Sequence, residues 1–281
     1  MKHVFIIIVV IILVGLIIWS TISYEGFQTE EKKFITGNLV GGLANRIFIV
    51  MAVRGFAEKT NRTPVFVSTY IANNTHQSKE STTNELKEIF PDMEMKDDLI
   101  WTEAKEEREF QYTDILADKS TNIVLHGYFQ NERYFPSTPP TLQKTLLPDT
   151  VFLHIRLGDY NGTRHDVGLT KYYVDCLTRL KDKGVKFRVF SNDNTKAEEY
   201  IKSLNIPFTY TISDKTNALD VLKEMASCSG AICSNSSLSW LGAFFQAENR
   251  GPVFMPSKWI NDVPKENFDT FYPSWATVIE I

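Results

Sequence analysis

The sequence has few cysteines and no strong excess of charge of either sign. Its 281 residues include three cysteines, Cys176, Cys228 and Cys233, whose number and spacing exclude a disulfide framework or a zinc site. A net charge of −4 argues against a partner held mainly by its phosphate groups, so no nucleic-acid partner is expected. Hydrophobic residues make up 43% of the chain, which is enough to bury an apolar core.

One long hydrophobic run is present. Residues 4–22 carry no charge, and as a helix they would span about 28 Å, close to the thickness of the bilayer hydrocarbon core. The run predicts a transmembrane anchor, with a buried core helix or a cleaved signal peptide as alternatives. Basic residues before the run and acidic residues after it favour an N-terminus in the cytoplasm. Residues 1–33 are therefore interpreted as a cytoplasmic tail, an anchor and a short polar stem.

The first part of the globular region has the pattern of a strand, a turn and a helix. After a short apolar strand from Phe34, Gly41 and Gly42 predict a turn, and residues 45–59 predict a helix with one apolar face. A second strand is expected at 64–68. The mixed charges at 103–109 are typical of an exposed helix.

The second part of the globular region alternates strands with helices. The proline-rich segment 136–140 predicts a domain boundary, because proline interrupts helices and central strands. The strands predicted beyond it are 151–155, 187–191 and 230–234, and the helices are 171–183, 195–204 and one after 234. The alternation predicts an α/β fold with mostly parallel sheets, in two Rossmann-like domains, 34–140 and 141–281, that face a cleft.

Ligands of open parallel sheets bind beyond the carboxyl ends of the strands, so the polar turn after the strand at 151–155 is a candidate site. Its Arg156 suits a diphosphate, because a planar guanidinium donates two parallel hydrogen bonds. Asp159 could orient this arginine, hold a sugar hydroxyl or accept a proton. An ordinary surface ion pair between Arg156 and Asp159 is the competing interpretation.

Two further polar turns follow predicted strands. Asn192 and Asp193 precede a helix and are explained as well by helix capping as by ligand binding. Asn235, Ser236 and Ser237 precede an apolar helix, whose N-terminus would suit a phosphate group. A plain serine cap is the alternative there.

Taken in order, the motifs resemble the α-1,2-fucosyltransferases of glycosyltransferase family 11. The resemblance rests on five blocks: GGLANRIF at 41–48, GYFQNERYF at 127–135, HIRLGDY at 154–160, FSNDN at 190–194 and NSSLSWLGAFF at 235–245. It implies a GT-B arrangement that binds GDP-fucose as the donor and, in the cleft, a glycan acceptor ending in galactose.

The resemblance also implies functional residues by position. The donor-binding residues would be Arg156, Asn192, Asp193, Asn235, Ser236, Ser237, Gly42 and Asn45. Asp159, Arg156 and His154 would be the catalytic residues. The sequence has no Asp-x-Asp metal motif, so neither a metal nor another cofactor is expected, and Arg156 and helix dipoles would offset the diphosphate charge.

Two positions depart from the family pattern. The second arginine of the family's His-x-Arg-Arg motif is Leu157 here, and its Gly-Asn-Gln is Ala44-Asn45-Arg46. Loss of a cation is expected to weaken diphosphate stabilisation unless Arg46 or Arg164 supplies another. Two alternatives therefore remain open: a related glycosyltransferase with another donor or a protein acceptor, and a non-catalytic glycan-binding descendant.

The expected reaction is a single in-line displacement at the anomeric carbon of fucose. It needs a base for the acceptor hydroxyl, and Asp159, His165 and Asp166 are candidates, with Asp159 favoured. Together with the anchor, the resemblance implies a single-pass type II membrane protein. In a eukaryotic host it would lie in the Golgi with its catalytic domain in the lumen.

Overall fold

A computed structural model describes residues 13–14, 32–72, 78–108, 110–114 and 120–281. The chain divides into two compact units, Met1–Lys33 and Phe34–Ile281. The predicted anchor at 4–22 lies almost entirely outside the described residues, so the anchor and the membrane location stay predictions. None of the helices within the described residues has the length and apolar character needed to cross a membrane.

The first half of the second unit contains a four-stranded sheet. Its strands are β1 (Phe34–Gly37), β2 (Thr63–Pro64), β3 (Glu103–Glu106) and β4 (Ile123–His126), and its helices are α1 (Leu43–Thr60) and α2 (Lys79–Ile89). The strand order is β2-β1-β4-β3, and each pairing is parallel. Because α1 follows β1 directly, its N-terminus lies at the carboxyl end of the sheet, as ligand-binding helices of such sheets do.

The strand expected at 64–68 is wrong beyond Pro64, since β2 ends there and a 3₁₀ turn begins at Ser68. The charge run at 103–109 begins with the edge strand β3 and not with a helix, but alternate residues of this strand are exposed, so its face is solvated. On that strand Lys105 pairs with Glu103 at 2.5 Å, so alternating charges satisfy one another along one strand face.

The sequence pattern of helix α1 predicted one buried face, but the helix is buried on nearly all sides. Thirteen of its 18 residues are buried. Phe48 contacts Trp240 of the second half at 5.0 Å between ring centroids. Gly55 lets the backbone of Tyr134 approach, since a Cβ there would lie 2.0 Å from the Tyr134 carbonyl oxygen. The helix is therefore a central element that packs against both halves of the unit.

The second half contains a six-stranded sheet. Its strands are β5 (Leu147–Ile155), β6 (Lys186–Ser191), β7 (Tyr210–Ile212), β8 (Cys228–Ile232), β9 (Val253–Pro256) and β10 (Thr277–Ile279). Its helices are α3 (Thr170–Leu180), α4 (Asn194–Ser203), α5 (Ala218–Ser227) and α6 (Ser237–Phe244). The strand order is β10-β9-β8-β5-β6-β7, again with parallel pairings. The α/β class and the parallel sheets are confirmed.

Strand register brings the candidate turns to one edge of the second sheet. Ile155 at the end of β5 pairs with Ser191 at the end of β6, and Leu153 pairs with Ile232 at the end of β8. The three turns that follow these strands are therefore neighbours. The predicted boundary at residue 140 falls between the two sheets, but a continuous apolar core joins them, and the two-domain division stays a prediction.

Candidate functional site

The turn after β5 holds Arg156 and Asp159 in a bidentate ion pair. Arg156 Nε donates to Asp159 Oδ1 at 3.0 Å, and Nη2 donates to Oδ2 at 2.7 Å. Gly158 permits the turn because its φ of 52° lies in the left-handed region. Arg156 and Asp159 therefore form the ion pair that was the competing interpretation of their sequence positions.

Asn192, which follows β6, braces the same turn. Its Nδ2 donates to Asp159 Oδ1 at 2.9 Å, and its Oδ1 accepts from the backbone N–H of Leu157 at 3.1 Å. A Cβ at Gly158 would lie 3.0 Å from Asn192 Nδ2, so glycine also leaves room for this side chain. Asn192 thus fixes the position of the ion pair.

The ion pair sets the protonation of both partners. Burial would lower the pKa of Arg156 and raise that of Asp159, but their mutual hydrogen bonds and charges outweigh burial. The pKa of Arg156 therefore lies above its ordinary value, and the pKa of Asp159 lies below its ordinary value. Asp159 is ionised at neutral pH, and its low pKa weakens it as a proton acceptor.

His154 and Asp193 have structural contacts. His154 is 3% exposed, and its Nδ1 lies 2.9 Å from Ser234 Oγ. Burial lowers the pKa of His154 to about 3, so the imidazole is neutral at ordinary pH. Asp193 caps α4, where its Oδ1 accepts from the backbone N–H of Lys196 at 3.0 Å. Asp193 therefore acts as a helix cap, which was one of the two interpretations of its sequence position.

The turn after β8 leads into α6. Asn235 is buried, and its Nδ2 donates to the carbonyl oxygens of His165 and Trp259, both at 2.8 Å. Ser236 is the N-cap residue of α6, but its side chain makes no capping hydrogen bond. Asn235 therefore fixes the turn, whereas the first N–H groups of α6 have no side-chain cap.

The turn before α1 depends on Gly41 and Asn45. Gly41 has φ 77°, and a Cβ there would lie 2.5 Å from Asn45 Nδ2. Asn45 Oδ1 accepts from Gln130 Nε2 at 2.8 Å, which fixes the orientation of the Asn45 amide. Gly42 is the N-cap residue of α1 and has no side chain that could cap the helix. The start of α1 is therefore also uncapped.

These turns surround a cavity of about 560 Å³, which we call the cleft cavity. The first half contributes Gly42, Leu43, Ala44 and Asn45, and the second half contributes Arg156, Tyr160, Thr216, Asn217, Ala218, Ser236, Ser237 and Leu238. Among the described residues, the lining contains one guanidinium and no carboxylate. Its volume lies in the range of roughly 300–1,000 Å³ found for small-molecule sites.

The electrostatics of the cleft cavity suit an anion. The N-cap residues of α1 and α6, Gly42 and Ser236, make no side-chain capping hydrogen bond. At α5, by contrast, the side chain of Asn217 caps the helix by accepting from two backbone N–H groups. Each helix N-terminus carries roughly half a positive charge, in addition to the full charge of Arg156. An anion with several oxygens, such as a diphosphate, could accept hydrogen bonds from both uncapped termini.

The structure brings together half of the predicted site residues. Those that line the cleft cavity are Gly42, Asn45, Arg156, Ser236 and Ser237. Those that do not line it are His154, Asp159, Asn192, Asp193 and Asn235, whose side chains pair, brace or cap nearby. The donor-binding and catalytic assignments of these residues stay predictions.

Sequence reasoning missed two parts of the cavity lining. Tyr160 lies in the HIRLGDY motif, and its ring centroid is 5.2 Å from Arg156 Cζ. Its position four residues after Arg156 in a turn was the signal that could have identified it. The turn at 216–218 gave no comparable signal, because the strand before it, β7, has three residues and no apolar run.

The departures from the family pattern have structural explanations. Arg46 is 1% exposed and donates to the carbonyl oxygens of Gly41 and Ala72, so it shapes the turn before α1. It does not line the cleft cavity, and neither does Arg164. Leu157 packs on the apolar cluster beneath α3 and α4 and lines a different cavity. The leucine therefore removes no charge from the cleft cavity lining.

In the described part of the chain, no group of three or more His, Cys, Asp or Glu residues is arranged to hold a metal ion. Metal independence of any reaction stays a prediction.

The sequence matches a known family over its second half. The model of glycosyl transferase family 11 matches residues 141–278. Residues 141–278 are therefore similar to the glycosyltransferases of family 11. This finding confirms the family resemblance drawn from the motifs. The matched range includes Arg156 and the turn at 234–237, whereas Gly42 and Asn45 precede it.

The chain is also similar to individual proteins. An α-1,2-colitosyltransferase of Escherichia coli is 26% identical over 186 residues, which cover 56% of this chain and 63% of that protein. The match thus spans less than two thirds of the relative. A heptosyltransferase of Escherichia coli, solved with ADP, is 12% identical with a TM-score of 0.45, covering 88% of this chain and 93% of the other. A family 9 glycosyl transferase from Veillonella parvula is 9% identical with a TM-score of 0.49, covering 89% and 87%.

Proposed function

We propose that this protein is an inverting transferase that moves fucose from GDP-fucose to a hydroxyl group of a galactose-terminated glycan, forming an α-1,2 linkage. The observation that carries the proposal is the convergence of Arg156 and two helix N-termini without side-chain caps on a cavity whose described lining has no carboxylate. A nucleoside diphosphate has the charge and the number of oxygens that such a cavity favours.

The proposed reaction is a single displacement. The oxygen of the acceptor hydroxyl forms a bond to the anomeric carbon of fucose while the bond from that carbon to the β-phosphate oxygen breaks. GDP leaves with the electron pair, and the β-linked donor gives an α-linked product. Arg156 and the helix N-termini stabilise the charge that grows on the leaving diphosphate.

A base takes the proton of the acceptor hydroxyl. The candidates are Asp159, His165 and Asp166. The family resemblance favours Asp159, whereas its ion pair with Arg156 and its low pKa weaken it in this role. Asp159 therefore orients Arg156 in our proposal, and the base is one of the other two residues.

Arg156 remains able to bind a diphosphate although it pairs with Asp159. Both side chains are partly exposed, and such ion pairs contribute about 0–1 kcal/mol. The two hydrogen bonds to Asp159 use Nε and Nη2 of Arg156, so Nη1 can still donate to a diphosphate. A diphosphate can thus share or replace the carboxylate of Asp159.

A second candidate donor is a nucleotide-linked colitose. The observation that favours it is the 26% identity to an α-1,2-colitosyltransferase. Colitose is fucose without one ring hydroxyl, so the same diphosphate site would serve both donors. A difference between them would arise only where the sugar ring is held.

A donor panel tests the proposal. The purified protein is incubated with lactose and with GDP-fucose, GDP-colitose, GDP-mannose or UDP-galactose, and the products are detected by mass spectrometry. Transfer from GDP-fucose supports the proposal, and transfer from GDP-colitose alone supports the second candidate. Binding of GDP without any turnover would instead indicate a non-catalytic glycan-binding descendant.

The variant Arg156→Gln tests the diphosphate site itself. We expect GDP to bind about 10- to 100-fold more weakly, because a charge-assisted pair of hydrogen bonds is lost. Arg179→Gln is the matched control, since Arg179 is exposed on α3 and lines neither cavity. Equal GDP affinity of Arg156→Gln and the unmodified protein, measured by calorimetry, would contradict the proposal.

A further inference from the structure

A second cavity of about 380 Å³ shares Arg156 and Tyr160 with the cleft cavity. Its other walls come from the loop at 161–169, from Thr170 at the start of α3, and from Tyr200 on α4. We propose that this second cavity binds the terminal hexose of the acceptor glycan. The proposal rests on the proposed function, because it places the acceptor beside the residue that holds the donor diphosphate.

The charges around the second cavity favour an uncharged ligand. The charge of Lys196 in its wall is offset by Asp193, which lies 3.2 Å from the Lys196 ammonium group. Asp166 adds a carboxylate to the lining. A phosphate would be repelled by this carboxylate, whereas the cleft cavity has none. The two cavities therefore suit different parts of a transfer reaction.

The lining of the second cavity offers the groups that a sugar ring uses. The hydroxyl groups of Thr170 and Tyr200 lie 2.9 Å apart and can each donate or accept a hydrogen bond. Tyr160 and His165 stack with ring centroids 4.8 Å apart and offer apolar ring surface for the C–H groups of a hexose. Polar groups beside aromatic surface in a concave site are the usual features of a small-molecule site.

The wall of the second cavity is held in place by side-chain amides. Asn235 Nδ2 donates to the His165 carbonyl oxygen at 2.8 Å, and Asn261 Nδ2 donates to the Asp166 carbonyl oxygen at 2.9 Å. Asn235 also directly precedes Ser236, the N-cap residue of α6, which lines the cleft cavity. One residue thus links the walls of both cavities, which fixes the geometry between donor and acceptor.

The test measures acceptor and donor binding separately. Val167 lines the second cavity and not the cleft cavity, so Val167→Phe fills only the former. Tyr200→Phe removes one hydroxyl with little change in shape, and Tyr210→Phe on β7 is its matched control outside both cavities. Lactose binding in saturating GDP is followed by saturation-transfer NMR, and GDP binding by thermal shift.

We expect Val167→Phe to weaken lactose binding at least about tenfold and Tyr200→Phe to weaken it roughly two- to tenfold, the range for one lost hydrogen bond. GDP-dependent thermal shifts should stay unchanged in both variants. Lactose binding that is unaltered in Tyr200→Phe, or no lactose binding to the unmodified protein with GDP present, overturns the inference. Absence of a GDP shift in the unmodified protein instead overturns the proposed function.

Discussion

Arg156, which lines both cavities, is joined to Asp159 by two parallel hydrogen bonds of 3.0 and 2.7 Å. The pair is three residues apart and closes over a glycine with positive φ, so the turn itself sets its geometry. Asn192 adds a third contact from the neighbouring strand end. The guanidinium is thereby held in one orientation before any ligand binds, which limits the entropy lost on binding.

The variant Asp159→Asn tests this orienting role. We expect GDP affinity to fall by roughly two- to tenfold, because an amide retains one hydrogen bond to Arg156 but loses the charge attraction. Turnover with GDP-fucose should fall in proportion. Calorimetry and steady-state kinetics make the comparison, with Asp175→Asn as a control that removes a similar ion pair on α3. A large loss of turnover at unchanged GDP affinity would assign the role of base to Asp159.

A comparison of Gly41→Ala with Gly42→Ala tests the turn before α1. Alanine at Gly41 should lower the free energy of unfolding by about 1–3 kcal/mol, because φ there is 77° and the new Cβ would lie 2.5 Å from Asn45 Nδ2. Gly42→Ala should leave it nearly unchanged, since φ is −74° and no atom lies within 4 Å of the new Cβ. Urea denaturation measures both. Similar stabilities of the two variants would refute the geometric explanation.

The variant Leu157→Arg tests whether this position faces the diphosphate. We expect GDP affinity to change by less than about twofold, because Leu157 lines the second cavity and not the cleft cavity. Lactose binding should weaken instead, as a charged side chain enters that cavity. A GDP affinity raised tenfold or more would show that a second cation at 157 reaches the diphosphate.

The buried His154 predicts an acid-dependent loss of stability. Its pKa is lowered to about 3 by burial, whereas an exposed histidine titrates near 6.5, so the unfolded state binds more protons between these values. The free energy of unfolding should therefore fall as the pH is lowered below 6.5, by up to about 1.4 kcal/mol per pH unit.

Urea denaturation between pH 6.5 and 5 tests this prediction. The variant His154→Asn should show a smaller pH dependence than the unmodified protein. Ser234→Ala should be less stable at every pH but keep the dependence, because burial, and not the hydrogen bond to Ser234, is the largest cause of the low pKa. An equal pH dependence in His154→Asn would exclude His154 as its source.

Much of the second sheet could be predicted because its strands and helices carry strong local patterns. The strand predicted at 151–155 and the helix predicted at 195–204 differ from β5 and α4 only at their ends. The short strand β7 and the charged strand β3 lack such patterns, since partner strands and not apolar runs hold them. Helix α1 appeared one-sided because the sequence does not reveal that α6 and the segment around Tyr134 cover its other face.

The α/β class, the resemblance to family 11 and the turns in which polar residues follow the strands could be predicted from the sequence, because these features depend on residues close together in the chain. Which of those residues share a cavity depends on how distant elements pack. Strand register brings Arg156 beside Ser236, and the packing of α1 brings Gly42 and Asn45 to the same place from the other half. The helix ends that could receive an anion are known only once their caps are seen, and a cap depends on side-chain direction that no sequence pattern fixes.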